Sequence, residues 1–189
     1  MKTFNDYFPT VKLTRQVSNP VLLTHSRSCF PFALDMAGFD EPVETAEAMG
    51  YNASQDQLVP GATLRNFFRD HGYNVHFASK GYKNQCKQLG SVQLPRNGFI
   101  QLQQGAKKSR TGHIVAIIDG VIYENANNAG WFWAGKENFF DQEVTAIITK
   151  EDWHFDYAAN EKAYNNQRSF ISRRRAEYTA ALAAIAAGA

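Results

Sequence analysis

Residues 113–118 (HIVAII) and 121–125 (VIYEN) are two runs rich in β-branched and aromatic side chains, separated by the dipeptide Asp119-Gly120. A two-residue hairpin turn needs positive φ at its central residues, and Asp-Gly adopts that geometry readily. The turn fixes a register. Ile118 stands opposite Val121, Ala116 opposite Tyr123, Val115 opposite Glu124, Ile114 opposite Asn125 and His113 opposite Ala126. Opposed residues share a face, so Glu124 is diagonal to His113, roughly 7 Å away between backbones, and Asn125 points the other way. One bulged residue would exchange them. Asp119 lies at the far end of the strand, about 20 Å from His113.

The rest of the chain fits around this hairpin as helices first and sheet second. SCFPFALDMAG reads as a helix opening after Ser28, with Pro31 in the first turn and Gly38 as a left-handed terminator. EPVETAEAMG and TLRNFFRDHG end in glycine by the same logic, and NVHFA, GFIQLQ and VTAIIT are strand-like runs. The lead through Pro9 and Pro20 reads as irregular. Residues 160–189 are Ala-rich and free of Pro, with five basic against two acidic side chains, and predict a terminal basic helix. The expected organisation is α+β: one domain at 1–159, with helices packed on an antiparallel sheet, and the helix at 160–189 as its appendage.

Of the 189 residues 44% are hydrophobic and 20% charged, with 20 Lys+Arg against 18 Asp+Glu, which suits one compact domain and excludes a disordered chain. No apolar run reaches the roughly 18 residues of a membrane span, and the first residues lack the apolar stretch of about 7–15 residues that marks a secretory signal. A cytoplasmic product without a membrane partner is expected. Arg173, Arg174 and Arg175 radiate around a helix rather than forming one patch, which weighs against nucleic acid.

Cys29 and Cys86 are too few for a disulfide framework, and with no CxxC or grouped histidines no structural metal site or cofactor is expected. Cys29 falls at a helix N-terminus, where unpaired N–H groups and the helix dipole favour a thiolate. A buried, inert thiol is the ordinary alternative. His113 follows Gly112 at the start of a strand, where sheet meets solvent, and a carboxylate or amide accepting from its ring would fix its tautomer. Cys86 reads as a bystander in a polar stretch, His71 as a helix-end residue, His76 as solvent-facing and His154 as isolated. Trp131 and Trp133, in the loop leaving the hairpin, are candidates to wall a substrate cleft.

The order of these features, SCFPFALDMAG, then ATLRNFFRDHGYNVHF, then GHIVAIIDGVIYEN, resembles the papain-like cysteine peptidases over residues 24–128, and in particular their small bacterial and phage-encoded members. The resemblance implies a papain-like fold and a thiol peptidase acting on a protein or peptide through a thioester. Cys29 is then the nucleophile, His113 the general base and acid, and Glu124 or Asn125 the orienting group. It also implies a host-cytoplasmic or virion setting if the chain is phage-encoded. Amidases, deamidases and transglutaminases use the same scaffold, and a non-catalytic virion or host-protein-binding component is the alternative of another class. Two positions depart from the pattern. Leu23 stands where the family commonly has the Gln that donates to the oxyanion, which leaves the Cys29 N–H with Ser26 or His25, and Glu124 stands where Asp is usual.

Overall fold

The computed structural model describes residues 11–14, 29–52, 59–104, 111–125 and 142–165. Three helices, α1 (Cys29–Met36), α2 (Pro42–Ala48) and α3 (Gly61–Asp70), precede most of the strands, and residues 157–165 form a further helical stretch. The strands are β1 (Val11–Thr14), β2 (Asn74–Phe77), β3 (Gly98–Gln104), β4 (Thr111–Ile118), β5 (Val121–Asn125) and β6 (Glu143–Thr149). They make one six-stranded sheet in the order β1-β5-β4-β3-β6-β2. The fold is α+β. Its sheet is not wholly antiparallel, because β1 pairs parallel with β5, Val11 opposite Ile122 and Thr14 opposite Asn125. That strand falls in the lead expected to be irregular: its residues, VKLT, mix apolar and polar types with no turn signal beside them, and its partner is remote in sequence.

Each of the three helices stops in the same way. Gly38, at φ 76°, allows Phe39 N–H to reach Leu34 O at 3.0 Å while its own N–H bonds to Asp35 O at 3.0 Å. The same pair of bonds recurs as Tyr51 to Ala46 with Gly50 to Glu47, and as Tyr73 to Phe68 with Gly72 to Arg69. These are Schellman stops, which bring the residue after the glycine back onto the last turn. That residue is aromatic each time, and Phe39, Tyr51 and Tyr73 all pack into one cluster with Phe30, Leu64, Phe68 and Phe99.

The hairpin forms as its sequence predicts. Asp119 and Gly120 have φ of 51° and 78°, and Ile118, Ile117 and Ala116 pair with Val121, Ile122 and Tyr123. Alternation along β4 then divides two cores. Ile114 and Ala116 join the helical cluster on one face, and Val115 and Ile117 join Ile100, Leu102, Ile122, Val144 and Ile147 on the other. Val144 and Ile147 are three residues apart, which regular alternation would place on opposite faces. A bulge reconciles them: Gln101 pairs with Ala146 and Leu102 with Val144, leaving Thr145 as the extra residue.

The second face is covered by the segment after β2 and by Trp153 and Phe155. Cys86 is 3% exposed there, in a 3-10 turn (Asn84–Lys87), and its carbonyl accepts from Asn160 Nδ2 at 3.2 Å. The polar neighbours of Cys86 have partners of their own. Lys87 Nζ meets Glu143 Oε1 at 2.7 Å. Likewise His76 does not face solvent; it is half-buried edge-on to Trp153 at 5.4 Å, while its neighbour Phe77 is exposed. His71 is the helix-end residue expected, its Nδ1 2.8 Å from Phe67 O.

Candidate active-site cleft

A cleft of about 430 Å³ opens where the aromatic packing of the helical face gives out. Its walls are the first residues of α1 (Cys29, Phe30), the start of α3 (Pro60, Gly61, Leu64) and the adjoining ends of β3 (Gln101, Leu102, Gln103) and β4 (Gly112, His113, Ile114), with the bulged Thr145 at the floor. Cys29 and His113, distant in sequence, thus line one cavity. Both are buried, Cys29 at 9% exposure and His113 at 3%, so a reagent reaches the thiol through this cleft.

Two helices begin at the cleft. α1 starts at Cys29 and α3 at Gly61, and the first N–H groups of a helix have no partner within it, so both ends favour negative charge nearby. The phenol of Tyr51, in the same cluster as Cys29, is pushed above its ordinary 10.0, first by burial and then by negative charge on Cys29 and Glu47. Tyr51 therefore stays a neutral hydroxyl near the sulfur.

Strand alternation separates the two candidate catalytic residues. Cys29 clusters with Ile114 and Ala116, whereas His113 alternates with them, pairs with Leu102 and continues the series of Val115 and Ile117. The backbones of Glu124 and Asn125 pair with Leu13 and Thr14 on the neighbouring strand. Ser26, His25, Trp131 and Trp133 lie outside the described residues. Among the described residues no cluster of His, Cys, Asp or Glu is arranged to hold a metal ion, and no helix is long and apolar enough to cross a membrane.

Sequence reasoning did not single out Gln101, Gly61 or Thr145. A signal for Gln101 was present in GFIQLQ, where Phe99, Gln101 and Gln103 share one side and Ile100 and Leu102 the other. A strand side that turns from aromatic to amide toward its end marks where packing stops and solvent enters. Compared with known proteins, the chain matches no family model, no curated protein and no solved structure.

Proposed function

We propose that the protein is a papain-like cysteine hydrolase that cleaves a peptide or isopeptide bond through a thioester on Cys29. The observation that carries this reading is the shared cleft: Cys29, at a helix N-terminus, and His113, at a strand end, line the same cavity. In this reaction the thiol gives its proton to His113, sulfur attacks the carbonyl carbon, and His113 returns the proton to the departing amine. Glu124 or Asn125 orients the ring. Hydrolysis of the thioester by water gives a peptidase, amidase or deamidase, and capture by an amine gives a transglutaminase. A second reading, a binding component that keeps the fold without the chemistry, is favoured by one observation, the placement of His113 in the strand series opposite Cys29.

Site-resolved alkylation with iodoacetamide near neutral pH tests the two readings. For the enzyme, Cys29 is alkylated well before Cys86, and His113→Ala and His113→Gln both remove that preference. Equal, slow modification of both cysteines in the native protein would establish the binding component. Where Cys29 is selective, a peptide library distinguishes cleavage from side-chain deamidation by mass.

A further inference from the structure

The cleft also carries information about what it takes, and this inference rests on the hydrolase reading above. The described residues that line it include no Asp, Glu, Lys or Arg; the cation beside it is Arg65, whose Nη1 lies 3.0 Å from where a Cβ on Gly61 would stand and whose guanidinium carbon lies 5.4 Å from the centre of the Phe77 ring. One wall is apolar, formed by Phe30, Val59, Pro60, Leu64 and Ile114; the floor offers neutral polar groups, Gln101, Gln103 and Thr145.

Gln101 is placed unlike the others. It pairs with Ile114, a member of the Cys29 cluster, so it lies on the face that carries the thiol. The bulge sets its position: Thr145 Oγ1 donates to Gln101 O at 3.0 Å, where the register shifts. Bulges beside sites commonly re-aim a side chain. The carboxamide sits between two glycines, and a Cβ at Gly61 would lie 3.7 Å, one at Gly112 3.9 Å, from its Nε2. That carboxamide makes no hydrogen bond among the described residues. It is half-buried, and Gln101 lines the cleft.

We infer that the cleft takes an uncharged aliphatic acyl group and that Gln101 holds its carbonyl oxygen. The thiolate forms a C–S bond to the acyl carbon and the carbonyl π pair moves onto oxygen, where Gln101 Nε2–H donates. Collapse returns that pair as the bond to the leaving group breaks, and the leaving group departs with the proton the thiol gave up. A neutral amide suits this position because it stabilises developing negative charge without binding an acidic substrate in its ground state.

The test uses the full chain and two nitrophenyl esters, p-nitrophenyl butyrate and mono-p-nitrophenyl succinate, with mass gain on Cys29 and nitrophenolate release as readouts. The butyryl ester should acylate Cys29 faster than the succinyl ester, and Gln101→Ala and Gln101→Glu should slow butyrylation by about 10²-fold, the usual cost of losing one such donor. Thr145→Val should give a smaller loss. Iodoacetamide should still alkylate Cys29 ahead of Cys86 in every variant, which reports an intact fold and an accessible thiol. Gln101→Glu conserves shape and carries the test if the alanine variant unfolds. Butyrylation of the variants at the wild-type rate would overturn the role of Gln101, and equal rates for the two esters would overturn the preference for an uncharged group. A wild-type Cys29 that is alkylated but never acylated would overturn the hydrolase reading itself.

Discussion

The two faces of the sheet are stabilised differently. The helical face is aromatic: Phe68 meets Phe30, Phe67, Tyr73 and Phe99 at ring-centroid distances between 4.5 and 6.1 Å, several of them edge to face. The opposite face is aliphatic, with Ile100, Leu102, Ile117, Ile122 and Ile147 under 2% exposed; there Lys87 pairs with Glu143 and Asn160 donates to the Cys86 carbonyl, while the buried carboxamide of Gln142 has no hydrogen-bond partner among the described residues. Rings are large and rigid, so a face built from them has few ways to fill its margin. The cleft opens at that margin, beside Gly61 and Gly112.

This contrast makes quantitative claims. Phe68→Ala should cost about 3–5 kcal/mol in urea unfolding, because a fully buried ring at the centre of the cluster is replaced by a cavity. Ile147→Val, on the aliphatic face, should cost about 0.5–1.5 kcal/mol; a loss equal to that of Phe68→Ala would erase the distinction. Between them falls Gly98→Ala, at about 1–3 kcal/mol, since Gly98 has φ 150° and a Cβ there would overlap the Ile148 carbonyl where β3 meets β6. Equilibrium unfolding of this variant checks that the junction of the two faces tolerates no side chain.

The smallest effect concerns alkali. Burial pushes the phenols of Tyr51 and Tyr73 above 10.0, and both belong to the helical face. A folded-state value raised above the unfolded one means full stability below about pH 10, lost as pH rises through the folded-state values. Stability measured from pH 8 to 11 should therefore fall at the alkaline end, and the double change Tyr51→Phe, Tyr73→Phe should flatten that limb. An unchanged alkaline limb in the double variant would remove the helical face as its source.

What could be read from the sequence was local. The three Gly-aromatic stops and the Asp-Gly turn fix φ signs and hydrogen bonds within a few residues, and their elements appear where the pattern puts them. The misreadings are long-range. β1 depends on β5, from the other half of the chain, and Thr145 is a bulge because of β3 rather than because of VTAIIT itself. Cys86 and Lys87 look polar in sequence, yet Asn160 and Glu143 draw them inside. The cleft was half legible. Cys29 and His113 stand out by residue type and local setting, whereas Gln101 matters through what folds over it, which no short window contains.

The position of β1 also has a temporal side. During synthesis at roughly 5–20 residues per second, the first strand emerges on the order of 5–20 s before Ile122, its partner on β5. The β4–β5 ribbon, by contrast, needs only microseconds once both halves have emerged. The nascent polypeptide therefore holds Val11–Thr14 without its sheet partner until β5 has been made.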